Sequence, residues 1–385
     1  MALHFSDEEF AARLGRLQGR MGEEKLDAML LFAQESMYWL TGYDTFGFCF
    51  FQCLVVTADG RQVLLTRSAD QRQARHTSNI ADVRIWVDRG GASPVAQLKE
   101  LLFEMDLLGA KLGVEYDTHG MTGKIGRELD EALRSFAELR DASTLIPRLR
   151  AVKSPAELDY VREAARLADA AYLAARDEIR PGADEGRILA VLQGTILEGG
   201  GDYPGNEFII GSGRDALLCR YKAGRRQLSA RDQITLEFAG AFRHYHAALM
   251  RTVIVGEPTP RHLYMHEACT AALAAVETKL VPGSSFGEIF DAHAEAMDAR
   301  DLMPHRLNAC GYSLGARFTP SWMDWPMAYR GNEAVVEPNM VIFMHMILAD
   351  SANETAMTLG RTYLTTESGP VPLSALPLDL DVKAG

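Results

Sequence analysis

The stretch Leu236–Thr252, LEFAGAFRHYHAALMRT, constrains this chain more than any other. A lone acid, Glu237, stands in an apolar run with strand character. His244, Tyr245 and His246 follow, and a second apolar run ends in Arg251-Thr252. Side chains alternate between the two faces of a strand. Thr235, Glu237 and Ala239 therefore share one face, and His244, His246, Ala248 and Met250 share a face of the second run. Two strands joined by a bend would bring the acid and the imidazoles together. A lone acid among apolar strand residues is costly unless it is paired or protonated. Glu237 is thus either a core carboxylate paired with Arg251 or part of a reacting site.

The rest of the composition sets broad limits. At 385 residues the chain is long enough for two domains with substantial cores. A net charge of −12 argues against a nucleic-acid partner. No apolar run has the length of a membrane span, and the start MALHFSDEEF lacks the pattern of a secretory signal. Cys49, Cys53, Cys219, Cys269 and Cys310 are too scattered for a disulfide framework or a zinc knuckle. A reducing cytoplasm is the expected location.

Read in order, Ser6 and Glu9 form a capping-box pattern before a stripe of Phe10, Leu14, Leu17 and Met21. Ala28–Phe32 predicts a buried strand. Phe46–Thr57 is a long apolar run, followed by a turn at Asp59-Gly60 and a strand over Val63–Thr66. Strands and helices alternate to about residue 150, which predicts a first α/β domain over residues 1–150 with a mixed sheet. Ser154-Pro155-x-Glu157 opens a long helix with a capping box and Pro in its first turn. Its stripe is Leu158, Val161, Ala165, Leu167 and Ala171, and Pro181-Gly182 stops it. Two more helices, near Ile188–Leu197 and Leu263–Lys279, alternate with hairpins through a second domain over residues 151–385.

These motifs resemble the pita-bread family, which includes Xaa-Pro peptidases, creatinase and ectoine hydrolase. The resemblance rests on Lys153-Ser154-Pro155-Ala156-Glu157-Leu158, Glu337-Pro338-Asn339-Met340-Val341 and the Arg251-Thr252 ending. It implies an α/β (α+β) chain with an N-terminal creatinase-like domain and a C-terminal pita-bread catalytic domain. In the peptidases five ligands hold two metals. The matching positions here are Glu237, Ala248, Tyr312, His345 and Gly360, so no original residue type is kept in place. The resemblance therefore points to the metal-free branch, with no cofactor. A single metal on Glu237, His246 and His345 stays open as a lesser alternative. Ectoine hydrolases are the nearer likeness. They share the run Glu237-Phe238-Ala239-Gly240-Ala241-Phe242-Arg243-His244-Tyr245-His246, as well as Gly42-Tyr43-Asp44 with Gln52-Cys53, and Gly200-Gly201-Asp202-Tyr203-Pro204.

The expected reaction is hydrolysis of a non-peptide C–N bond in a small zwitterion such as a cyclic amidine carboxylate. Glu237 is the expected nucleophile or base on water. His345 or His246 would donate a proton to the leaving nitrogen, and Tyr312 would bind the tetrahedral centre. Arg220 or Arg251 would hold the substrate carboxylate. Arg220, Arg225 and Arg226 form a cluster that is otherwise a solvated face. His244 and Trp322 are further substrate-binding candidates. Phe46 and Phe48 are expected to complete a partner's pocket in a homodimer. Cys310, with no basic neighbour in sequence, reads as a buried residue rather than a nucleophile. A metal-dependent Xaa-Pro peptidase or lyase, and a binding-only relative, are the competing readings.

Overall fold

The computed structural model describes residues 3–221, 224 and 226–385, so Arg225 of the expected arginine cluster lies outside the described residues. The chain divides into two compact units, Met1–Arg150 and Ala151–Gly385.

The first unit holds strands β1 (Ala28–Leu31), β2 (Cys53–Thr57), β3 (Gln62–Arg67), β4 (Asp82–Trp86), β5 (Lys111–Val114) and β6 (Glu138–Asp141). Among the described residues they form one mixed sheet in the order β4-β3-β2-β1-β5-β6. Helices α1 (Asp7–Glu24), α2 (Gln34–Thr41), α3 (Gln71–Thr77), α4 (Pro94–Glu104), α5 (Gly123–Leu133) and α6 (Leu145–Ala151) connect and flank it. Ser6 caps α1 by accepting from the Glu9 amide at 3.3 Å, but Glu9 does not return the bond. Its carboxylate turns to the buried Arg13, whose Nε donates to it at 2.9 Å. A buried guanidinium has more to lose unpaired than an exposed backbone N–H. The apolar run from Phe46 is only partly a strand. It begins with a single 3₁₀ turn, Gly47–Cys49, and β2 starts at Cys53. Tyr43, Gln52 and Gln34 form a closed buried network: the Tyr43 hydroxyl donates to Gln52 at 3.2 Å, Gln52 to Gln34 at 2.7 Å, and Gln34 to the Tyr43 carbonyl at 2.7 Å. The Gly-Tyr-Asp…Gln-Cys pattern is thereby accounted for by local folding.

In the second unit α7 (Pro155–Glu178) starts with the full capping box of Ser154 and Glu157, and its expected stripe is buried. There follow α8 (Glu185–Glu198), β7 (Ile209–Ser212), β8 (Asp232–Phe242), β9 (Tyr245–Val255), α9 (Pro260–Glu277) and α10 (Phe286–Asp298). The chain ends with β10 (Ala309–Ser313), β11 (Asp324–Tyr329), β12 (Val341–Asp350), β13 (Thr355–Thr366), β14 (Gly369–Pro372) and β15 (Asp381–Lys383). The main sheet runs β11-β10-β12-β13-β9-β8-β7, with β14 on β13 and β15 on β9. Side chains alternate across β8. Phe238 points to α7, where its ring stacks on Tyr172. Thr235, Glu237 and Ala239 take the other face. Cross-strand register pairs Glu237 with Met250, Ala239 with Ala248 and Ala241 with His246.

The bend between β8 and β9 is a two-residue turn. Arg243 and His244 both have positive φ, 50° and 63°. That is the left-handed geometry tight hairpins prefer, met here without glycine. Neighbouring groups hold it in place. The His244 amide donates to Asp202 at 3.1 Å, the Arg317 amide donates to the His244 carbonyl at 3.0 Å, and the His244 ring stacks on Phe318 with centroids 4.2 Å apart. The Gly-Gly-Asp-Tyr-Pro pattern thus supplies the clamp for this turn through Asp202.

Candidate functional site

A cavity of about 590 Å³ opens on the face of the sheet that carries Glu237. It is lined by Glu237, Tyr312, Trp322, Arg220, Glu207 and Asn206, with Ile209 and the loop Thr319–Met323. Three elements supply its polar floor: β8 gives Glu237, β10 gives Tyr312, and the loop before β11 gives Trp322.

Glu237 is 7% exposed. The Tyr312 hydroxyl donates to its Oε1 at 3.4 Å. The Trp322 Nε1–H in turn donates to the Tyr312 oxygen at 2.9 Å. The indole occupies a lone pair of the phenol and leaves its single proton aimed at the carboxylate. Burial pushes the Glu237 carboxyl up to about 7, while the Arg220 charge and the Tyr312 hydrogen bond oppose the rise. Burial, reinforced by the Glu237 charge, drives the Tyr312 phenol well above its ordinary range. The pair is therefore a carboxylate near its titration point facing a phenol that keeps its proton.

Several expected site residues lie elsewhere. Arg251 is 3% exposed, and its side chain falls on the face opposite Glu237, because its register partner is Leu236. Its guanidinium donates to the carbonyls of Met250 (2.8 Å), Gly360 (2.6 Å) and Pro377 (3.5 Å). It does not line the cavity and does not pair with Glu237. His244 is a turn residue packed on Phe318, outside the cavity lining. His246 is fully buried and uses both ring nitrogens. Nε2 accepts from the Gly205 amide at 2.8 Å, and Nδ1 faces the Gly315 carbonyl at 3.3 Å. Burial holds its pKa down at about 4, so the ring stays neutral and is a poor acid. His345 sits behind Tyr312 with ring centroids 5.6 Å apart, beside Phe343, and does not line the cavity. Among the described residues its buried Nδ1 has no hydrogen-bond partner, and burial brings its pKa down to about 3. A ring that stays neutral is a poor proton donor. Phe46, 83% exposed, and Phe48 belong to the first unit. Burial likewise raises the Cys310 thiol, as expected of a core residue. Arg220 does line the cavity, as an exposed group at its rim.

The aromatic, acidic stretch Ser321-Trp322-Met323-Asp324-Trp325 reads in the sequence as a pocket wall or a core cover, and its first three residues line the cavity; Asn206, Glu207, Ile209, Thr319 and Pro320 carry no such signal. Nothing in their spacing signals a site, since they reach the cavity through the β7–β8 pairing and through a link between loops. The Trp322 amide donates to Asn206 Oδ1 at 3.1 Å.

The five positions that hold metals in peptidases of this fold can be tested for fit. A Cβ on Gly360 would lie 2.7 Å from the Phe343 ring and 2.8 Å from the Met250 Cβ. The space a carboxylate would need there is filled by apolar side chains. Ala248 offers only backbone, tied up with Thr362 through bonds of 2.9 and 2.8 Å. Among the described residues no three His, Cys, Asp or Glu side chains group as metal ligands. The donors left, Glu237 and the recessed His345, do not fit a bridged pair of ions.

Residues 159–367 match the metallopeptidase family M24, and residues 13–152 match the creatinase/prolidase N-terminal domain. The ectoine hydrolase of Halomonas elongata is 27% identical over 100% of this chain and 99% of its own. The creatinase of a Bacillus species is 27% identical over 89% of this chain and 84% of its own. The X-Pro aminopeptidase of Thermotoga maritima has the same fold, with a TM-score of 0.84 at 20% identity over 96% of this chain and 99% of that one. The first of these matches covers more than half of the chain, and the chain belongs to the metallopeptidase family M24.

Proposed function

We propose that this chain hydrolyses a non-peptide C–N bond in a small zwitterion, an ectoine-like cyclic amidine carboxylate being the leading candidate, and that it does so without metal. One observation carries the reading: a buried carboxylate titrating near 7 faces a cavity and receives the only proton of a phenol whose oxygen is already bonded by an indole. The full-length likeness to an ectoine hydrolase supports the substrate class, and the apolar filling around Gly360 supports metal independence.

The chemistry follows from these positions. The cationic amidine would lie against Glu237, and its carboxylate against Arg220 at the rim. Glu237 takes a proton from water as the oxygen adds to the amidine carbon. It returns that proton to the leaving nitrogen as the C–N bond breaks, and the hydroxyl proton of the tetrahedral centre passes to the released amine, so the cationic amidine leaves as an open-chain amide and an ammonium group. Atoms balance, and Glu237 ends as it began. Tyr312 donates to the charge that develops at the tetrahedral centre. No histidine is needed as the acid. Direct attack by Glu237 on the carbon is the variant of the same reading, in which water cleaves the resulting ester.

The test is turnover of ectoine against Xaa-Pro dipeptides by purified protein, with elemental analysis of the same sample. Ectoine cleavage that survives chelation is the expected result. Two tightly held metals per chain, with dipeptide cleavage lost on chelation, would instead make it a metal-dependent peptidase. We also propose a homodimer in the cytoplasm, in which Phe46 and Phe48 of one copy complete the other's cavity. Phe46 and Phe50, 83% and 49% exposed, form an apolar patch in want of cover. Light scattering on the native protein and on Phe46→Ser checks this, and a monomer at micromolar concentration with full activity contradicts it.

A further inference from the structure

The cavity has two walls that are distant in sequence, the segment from Gly205 to Ile209, which lines it through Asn206, Glu207 and Ile209, and the loop Thr319–Met323. Neither is a strand for most of its length, so neither is held by sheet pairing. Two direct ties join them. The Trp322 amide donates to Asn206 Oδ1, and the backbone of Gly205 lies so close to the loop that a Cβ there would sit 2.8 Å from the Trp322 nitrogen and 2.9 Å from the Ser321 carbonyl carbon. Beneath both walls lies His246, on the same sheet face as Glu237. Its Nε2 accepts from Gly205, in the first wall. Its Nδ1 faces the carbonyl of Gly315, in the segment that leads into the second.

An amide N–H can only donate, so Nε2 carries a lone pair. A carbonyl can only accept, so Nδ1 carries the hydrogen. The contacts thus select one tautomer of a neutral ring. We infer that His246 is a positioning residue that pins the two cavity walls together in its Nδ1–H tautomer, and so seats Trp322 on Tyr312 and Tyr312 on Glu237. The chain of contacts is continuous: His246 to Gly205, Gly205 and Asn206 to the Trp322 backbone, the Trp322 indole to Tyr312, and Tyr312 to Glu237. A proton on Nε2 would set donor against donor at Gly205. The charged and titratable neighbours that act on the ring, His244 and Arg317, both disfavour that proton. The inference rests on the reading of this cavity as the reacting site only for its kinetic arm.

The test compares His246→Gln with His246→Leu. A glutamine amide can accept from Gly205 and donate to Gly315, whereas leucine can do neither. Hydrogen exchange of the native protein is followed in peptides covering 203–209 and 316–325. The leucine variant should exchange roughly tenfold faster or more in both, as expected for losing buried hydrogen bonds. The glutamine variant should stay close to the parent. Nitrogen NMR of labelled imidazole should show His246 neutral, with the hydrogen on Nδ1. On ectoine, the leucine variant should lose kcat with KM less affected, and glutamine should restore most of it. An Nε2–H tautomer would overturn the inference. So would unchanged exchange in the leucine variant, or equal acceleration in every peptide of the second unit, which would make His246 an ordinary core residue. These outcomes are read without turnover. If ectoine is not a substrate but the two wall peptides open in His246→Leu, the substrate assignment fails and the positioning role stands.

Discussion

Glu115 in the first unit and Glu237 in the second are both buried carboxylates next to apolar strand residues, and burial pushes both up to about 7. Their surroundings differ. Glu115 accepts from the Phe32 amide at 3.0 Å, the Ala33 amide at 2.9 Å and the Ser36 hydroxyl at 2.6 Å. These groups lie at the start of α2, whose N-cap residue, Ala33, has no side chain able to cap it. Glu115 therefore does from another strand what the N3 glutamate of a capping box does locally, accepting from the N-cap amide. Among the described residues Glu237 has one long hydrogen bond, from a phenol, and a cavity beside it. Burial and a raised proton affinity are common to both acids and do not distinguish them. What marks a group available for reaction is acceptor capacity left unused and facing space that a substrate can enter.

The sharpest way to break this comparison is to neutralise each acid in turn. Glu237→Gln should lower kcat by about two to four orders of magnitude, the usual cost of losing a positioned base, with folding intact. Glu115→Leu should leave turnover per folded molecule unchanged but cost about 1–3 kcal/mol of stability, because the Phe32 and Ala33 amides then lose their acceptor. Turnover and urea denaturation of both variants decide it, and comparable turnover losses would refute the distinction.

Tyr312→Phe should be milder, about a 10–100-fold loss, as for one hydrogen bond to a charged group. That bond holds the Glu237 proton affinity down. Removing it should therefore move the acid limb of the kcat/KM profile to higher pH, and a shift to lower pH would contradict the assignment.

A smaller effect is the pH dependence of folding. The folded-state pKa of Glu237 is raised, so the native state holds this proton more tightly than the unfolded chain. Its stabilising contribution is complete below the ordinary carboxylate range and is lost as pH rises from there through about 7. Activity should run the other way over the same window, since the base must be ionised. Thermal melts of the parent and Glu237→Gln should converge at low pH and separate at pH 8, with the variant the more stable. The smallest kinetic effect belongs to Arg251. Arg251→Leu should strand backbone carbonyls and lower stability by about 1–3 kcal/mol, with KM unchanged. A large rise in KM would return it to the substrate site.

Much of the architecture was legible because it is written locally. The capping box at Ser154, the stripe of α7 and the alternation along β8 and β9 depend on neighbours a few residues away. The apolar run Phe46–Thr57 does not show where β2 begins, and the Ser6–Glu9 pattern does not show that Glu9 bonds elsewhere. There a 3₁₀ turn and the buried Arg13 prevailed. Glu237 was legible as well, since a lone acid in an apolar strand is anomalous wherever the strand goes.

Periodicity and capping act over short range, so the two-domain frame, the hairpin and the acid at its centre can be read along the chain. Which polar groups meet that acid depends on how distant elements pack. His246 and Arg251 stand near Glu237 in sequence, yet one is consumed between two backbone groups and the other lies on the far face of the sheet. Tyr312 and Trp322 reach it from far along the chain through sheet order and loop contacts. A hydrogen bond depends on a few tenths of an ångström and on direction, and those are fixed only when β8, β10 and the loop before β11 pack against one another.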